Sequence, residues 1–312
     1  MDSGSGKKTI FAAISANLAI AITKFIAAAV TGSSAMLSEG IHSTVDTANE
    51  LLLLLGIHLS KKPPDENHPF GHGQELYFWS LIVAILVFSV GGGMSIYEGI
   101  SHLLHPHPLE HPIWNYIVLG VAIVFEGFSW SVAWKEFQPQ KGKQSIWQAI
   151  RTSKDPTIFT VLFEDSAALL GLIIAFLGIF FGHLFNNPYL DGTASIVIGL
   201  ILAVIAVLLA YESRGLLLGE SANSSTVASI RGIAASDPSV EGVMRVLTMH
   251  FGPHEILLNL EIQFHKTLSA EEVASAVERL EKTICKKHPD IKNIFIEAQS
   301  LTANRKAATR SD

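Results

Sequence analysis

Six long apolar runs decide what this chain can fold into. They fall at roughly 9–30, 34–58, 76–103, 112–136, 157–183 and 191–215, each close to the ~20 residues a helix needs to cross the hydrocarbon of a bilayer. Lipid offers no partners for backbone N–H and C=O groups, so runs of this length are read as helices. Composition agrees: 49% of the 312 residues are hydrophobic and 16% are charged, against roughly 25% charged in ordinary soluble domains. Met1 to Lys8 is short and polar and leads directly into the first run without a small-residue cleavage site. The reading is therefore an uncleaved first span, not a signal peptide.

Basic residues orient the spans. Lys7 and Lys8 precede the first, Lys61 and Lys62 follow the second, and Lys135, Lys141, Lys143, Arg151 and Lys154 fill the link between the fourth and fifth. The alternate links, around Thr31–Ser34, His105–Pro112 and Gly182–Leu190, carry no Lys or Arg. The positive-inside rule then places both termini in the cytoplasm, or in the equivalent compartment of an organelle. A multi-pass integral membrane protein is expected, with the bacterial inner membrane as first assignment and an organelle membrane as the other.

After Glu220 the pattern changes. Val243–Met249 and Ile256–Ile262 read as strands around a turn holding Gly252 and Pro253. Ser269 to Lys287 reads as an amphipathic helix with Ser269 as N-cap and Glu272 in the capping-box position. Asn293–Glu297 forms a third strand, and Ser224–Ala235 a helix in front. The expected fold class is an α-helical membrane protein, six transmembrane helices followed by a small α+β (α-β-β-α-β) cytoplasmic domain. The boundaries are 1–220 for the transport domain, 221–302 for the cytoplasmic domain and 303–312 for a disordered tail. So small a soluble unit is marginal alone, which favours a homodimer.

Several function classes drop out. A net charge of −6 without a concentrated basic face argues against nucleic acid. A single cysteine, Cys285, cannot build an intramolecular disulfide framework or a cysteine-rich zinc module. Neither a P-loop nor an H-E-x-x-H is present, so neither ATP nor a zincin-type protease site is indicated.

Ionisable side chains in hydrocarbon are costly and mark function by default. In the second span Glu39, His42, Asp46, Asn49 and Glu50 recur at spacings of three and four, one polar stripe on an apolar helix. His42 and Asp46 lie one turn apart on one face, an imidazole and a carboxylate suited to a divalent ion such as zinc. Protons would compete with the ion for such a site. The alternative is a polar seam that holds helices together. Glu164 and Asp165 in the fifth span complement the pair, although neighbours on a helix diverge by about 100° and cannot both face one ion without distortion. Lys24, Glu98 and Glu126 are further ionisable residues within spans, and Asp191 stands where the sixth begins. In the link after the second span, Asp65, His68 and His72 form a carboxylate–imidazole set among Pro63, Pro64, Gly71 and Gly73. It reads either as a metal site or as a rigid turn whose histidines cap the third span.

Ser38-Glu39-Gly40-Ile41-His42-Ser43-Thr44-Val45-Asp46, together with Asn67-His68-Pro69-Phe70-Gly71-His72-Gly73 and the six-span layout, resembles the cation diffusion facilitator (zinc-transporter type) family over residues 8–300. Leu162-Phe163-Glu164-Asp165 is similar to a subgroup that includes the mitochondrial-type zinc transporter and its bacterial relatives. The resemblance implies a divalent metal efflux transporter, a zinc/proton antiporter working by alternating access as a homodimer, with Zn2+ as cargo and no cofactor. It implies transport ligands His42, Asp46 and Asp165, and a second metal site at Asp65, His68 and His72. The family's fourth transport ligand falls on Val161, which cannot coordinate, so Glu164, Asn49 or water must complete the shell. The family's cytoplasmic ligands fall on Met244, Leu260, Glu297 and Gln299, and His250, His254, His265 and His288 are read as solvated or capping. The outward histidines, His102, His105, His107, His111 and His183, are read as an ordinary kinked connection. Alternatives are transport of manganese, iron or cobalt, a transport-inactive partner subunit, and an intramembrane metalloenzyme.

Overall fold

The computed structural model describes residues 3–106, 112–142 and 144–298, with side chains from Asn17 onward apart from residues 112, 136, 140, 151 and 158. The expected tail at 303–312, Gln299, His107, His111 and Lys143, and the side chains of Lys7, Lys8 and Arg151, lie outside the described residues. The chain divides into two compact units, Met1–His58 with Glu75–Arg214, and Leu59–Gln74 with Gly215–Asp312.

The first unit consists of long helices: α1 (Ser3–Thr31), α2 (Ser34–Ser60), α3 (Glu75–Leu104), α4 (Pro112–Lys141), the short α5 (Ile146–Thr152), α6 (Pro156–Phe185) and α7 (Tyr189–Leu217). Among the described residues four, Glu75–Leu104, Ile113–Pro139, Phe159–Phe185 and Tyr189–Leu217, are long and apolar enough to cross a membrane. The apolar described part of α1, Asn17–Thr31, is shorter, and α2 is diluted by Glu39, His42, Asp46 and Glu50. Helix α6 begins where local chemistry asks it to: the Asp155 side chain accepts from the Thr157 N–H at 3.0 Å, and Pro156 supplies the preset φ of a first helical residue.

Small residues let α3 and α7 approach closely. A Cβ at Gly99 would lie 2.7 Å from the Gly192 carbonyl, and one at Gly199 would lie 2.8 Å from the Gly92 carbonyl. Membrane helices pack this way because lipid supplies no hydrophobic drive between them. Gly92 also closes a π-helical turn, Val87–Gly92, within α3. Asp191 of α7 is fully buried and caps α2 from outside, accepting from Ser33 Oγ at 2.6 Å, Ser34 N at 2.6 Å and Ser34 Oγ at 2.9 Å. His102 Nδ1 stands 3.2 Å from the same carboxylate.

The second unit contains α8 (Ser224–Ala235), β1 (Val240–Gly252), β2 (Glu255–Phe264), α9 (Ala270–Lys287) and β3 (Ile291–Ala298), the expected α-β-β-α-β order. Strand order is β1-β2-β3, with β1 and β2 antiparallel and β2 and β3 parallel. Ile256, Leu258, Leu260 and Ile262 alternate into a core shared with Ile230 and Ala234 of α8 and Ala276, Leu280 and Ile284 of α9. Ser269 and Glu272 form the full capping box at the start of α9.

Candidate functional site

Two clusters gather the sequence-derived residues, one in each unit. In the first, His42 Nδ1 lies 3.2 Å from Asp46 Oδ1. A tetrahedral zinc with bonds of about 2.0–2.1 Å holds neighbouring donors about 3.4 Å apart, so this spacing suits two ligands of one ion. The orientation makes no hydrogen bond: both ring nitrogens of His42 and Asp46 Oδ1 are buried without one. Buried polar atoms are normally satisfied, and a set left open in the membrane interior is a place for a cation.

Beside this pair is a cavity of about 40 Å³, room for an ion with a water. Its walls carry five carboxylates, Asp46 and Glu50 of α2, Glu126 of α4, and Glu164 and Asp165 of α6, with Asn17, Ser43 and Ser129 between them. Glu164 and Asp165 both reach it despite their divergence, each steadied by a different helix. Asn49 Nδ2 donates to Glu164 Oε1 at 2.7 Å, and Ser129 Oγ donates to Asp165 Oδ2 at 3.0 Å. Asn17 Nδ2 donates to Glu50 Oε1 at 2.9 Å. Val161 is part of the same wall.

Asn17 and Ser129 were missed in the sequence, and Glu50 and Glu126 were noted without a role. The signal for Glu126 and Ser129 is present, two polar residues three apart in an apolar span. Asn17 has no such signal, since it stands alone in its span with no polar neighbour three or four residues away. Asn49 supports Glu164 and is not itself on the cavity wall.

The second cluster is tighter. Among the described residues, Asp65, His68 and His72 are the one group of three that brings a ligand atom from each within 4.8 Å; His42, Asp46, Glu164 and Asp165 do not converge so closely. His68 Nδ1 is 3.1 Å from Asp65 Oδ1, and His72 Nε2 is 3.0 Å from Asp65 Oδ2. Asp65 Oδ1 also accepts from the backbone N–H of Asn67 at 2.9 Å and of His68 at 2.7 Å. The His68 N–H, then the two imidazoles and the Asn67 N–H, hold the Asp65 carboxyl down to about 2, ionised and ready for a cation. The histidines thus turn toward Asp65; the sequence alternative of a helix cap is not what forms.

Gly71, at φ +88°, makes the turn that returns His72 to Asp65. The loop then lies on the β1–β2 hairpin of its own unit. Phe70 stacks on Phe251 at 5.1 Å, and a Cβ at Gly73 would run into the Phe251 carbonyl and lie 2.6 Å from Glu255 Oε2. Three histidines of the sheet domain take structural partners: His250 Nδ1 is 3.1 Å from the Gly252 carbonyl, His254 Nδ1 is 3.3 Å from Asp290, and His288 Nε2 is 2.9 Å from Ser229 Oγ.

Comparison with known proteins gives the following. Residues 10–218 match the family described as the cation efflux transmembrane domain. The mouse protein named "Proton-coupled zinc antiporter SLC30A9, mitochondrial" is 31% identical over 329 residues, covering 93% of this chain and 58% of its own length. This chain thus spans little more than half of that relative. The Bacillus subtilis "Manganese efflux system protein MneP" is 22% identical over 93% of this chain and 94% of its own. Among solved structures, one titled "MamM-CTD 215-293" shares 20% identity over 24% of this chain and 95% of its own, with a TM-score of 0.23.

Proposed function

The chain belongs to the cation efflux family, and from that premise we propose that it exchanges zinc for protons across a membrane, with His42, Asp46, Glu164 and Asp165 as the transport site. The observation that carries this reading is the cavity between α2, α4 and α6, with its five carboxylates and the open His42–Asp46 pair beside it. Five carboxylates cannot all stay ionised together in a space of that size without a cation or protons. Metal and protons are therefore alternative occupants, which is the chemical basis of antiport. Metal enters from the cytoplasmic side and displaces protons; after the helices rock, protonation on the far side releases it. His42 favours zinc. The carboxylate majority also suits a harder ion such as manganese, the cargo named for the Bacillus subtilis relative.

Asp65, His68 and His72 form a separate cytoplasmic metal site. Two copies associate through the sheet domain, where Leu247 and Phe295 stand exposed in one row on either side of Asn259. The transmembrane domain takes residues 1–220, and the cytoplasmic domain 221–302, with the 59–74 link carrying the second metal site.

The test is uptake of zinc, manganese, iron, cobalt and cadmium into proteoliposomes under an imposed pH gradient. Zinc uptake is expected, abolished by Asp46→Ala and by Asp165→Ala. The second reading, a transport-inactive partner subunit, is favoured by Val161 on the cavity wall. It takes over if the wild type moves none of these ions.

A further inference from the structure

Lys24 of α1 is, among the described residues, the one buried lysine or arginine, and it is fully enclosed. Its Nζ donates to Glu39 Oε2 at 3.1 Å and to Ser43 Oγ at 2.7 Å. Ser43 is itself on the wall of the carboxylate cavity. Glu39 is fully buried, and its second oxygen, Oε1, has no hydrogen-bond partner. That oxygen lies against α6 at Gly171, where a Cβ would overlap it. Glu39 precedes His42 by three residues on the same face of α2, and His42 Nε2 is buried without a hydrogen-bond partner.

These facts describe a carboxylate that could serve as a metal ligand and is kept from doing so. Glu39 and His42, one turn apart, carry the donor types of a cation site, displaced along α2 from the Asp46 side toward the end where α2 begins. An ion moving outward would meet it next. The lysine prevents that ion from settling, because its ammonium already neutralises Glu39. In a low-dielectric interior, charges one turn apart act strongly on each other and on a divalent ion. Breaking one member of a buried pair exposes the whole charge of the other.

We propose that Lys24 is a tethered counter-ion for the transport site: by holding Glu39 it confines the divalent ion to the Asp46 side of His42 and sets how tightly the site binds. Lys24 and Glu39 are positioning residues, acting through charge without contacting the ion. The inference rests on the assignment of the transport site above.

The two halves of the pair have opposite effects on a cation, which a merely structural contact would not have. Zinc binding is measured on the purified full-length protein in a His68→Ala/His72→Ala background, which silences the loop site, by competition with a fluorescent zinc indicator. Lys24→Gln frees Glu39 to act beside His42, and zinc binds about tenfold tighter or more. Glu39→Gln leaves the ammonium uncompensated against Ser43, and zinc binds about tenfold weaker or more. Lys24→Gln/Glu39→Gln returns to within about threefold of the parent, because the net charge is restored. Single variants that shift affinity in the same direction, or a double variant as impaired as the worse single one, overturn the proposal. Should a single variant fail to fold, the charge swap Lys24→Glu/Glu39→Lys retains an ion pair and places the cation one turn from His42. It is expected to bind zinc weakly, and parental affinity there overturns the proposal. Asp46→Ala in the same background separates the two levels. If it binds zinc as the parent does, the transport-site assignment itself is wrong. If it loses binding while the Lys24 and Glu39 variants are silent, only the counter-ion role is wrong.

Discussion

His72→Ala tests the loop site through its zinc affinity. Three groups converge there, Asp65, His68 and His72. The Asp65 carboxyl is held at about 2, chiefly by the His68 backbone N–H, with both imidazoles and the Asn67 N–H adding to it. A depressed carboxyl contributes stability to the folded loop that is present above its unfolded value near 3.9 and is lost as pH falls toward 2. It therefore takes up no proton between pH 4.5 and 6 and does not compete with metal there. Each imidazole brings one nitrogen within reach of the same point as Asp65, so removing one of three donors should weaken zinc binding about tenfold to a hundredfold. Zinc titrations in a His42→Ala/Asp46→Ala background that silences the membrane site should show that loss with His72→Ala. Unchanged affinity in that variant would mean His72 is not a ligand, and the geometry at Asp65 would then be a turn with no metal function.

Glu164→Gln should weaken zinc binding at the membrane site about as much as His42→Ala if Glu164 replaces the ligand missing at Val161; unchanged binding in a competition titration would leave that place to water. Gly73→Ala puts a methyl group into the Phe251 carbonyl, so the 59–74 loop should exchange its amide hydrogens faster and bind zinc more weakly. Ser269→Ala removes the cap of α9 and should cost about 1 kcal/mol, read as a small drop in the melting temperature of the sheet domain. Leu280→Ala, at a position 1% exposed in that domain's core, should cost about 2–5 kcal/mol. A cost below that of the cap change would contradict the described packing.

The sequence carried the membrane class, the α-β-β-α-β order and the α9 capping box because each rests on local rules: run length, strand alternation and cap chemistry. It also carried the proximity of His42 to Asp46 and of Asp65 to His68 and His72, since side chains three and four apart along a helix or tight turn are near in space. What it did not carry depends on helices meeting. Glu50 and Glu126 on the cavity wall, Asn17 bonded to Glu50, and the Lys24–Glu39 pair all join residues far apart in sequence, and no periodicity on one helix reports its neighbour. Asp191 is the same kind of case. It stands at the start of its own helix and caps α2, through Ser34 and its neighbours. The grouping of residues 59–74 with the sheet domain was hidden for a related reason, because it arises from a stacked Phe70–Phe251 pair separated by most of the chain.

The proposed exchange of metal for protons at the carboxylate cavity beside His42 has a direct readout. The most direct measurement is proton flux in sealed proteoliposomes loaded with a pH-sensitive dye, started by adding zinc to one side. The expected result is proton movement opposite to zinc, in fixed proportion to zinc uptake, and absent with Asp46→Ala. Zinc uptake with no counter-flow of protons, or proton flux that persists in Asp46→Ala, would contradict it.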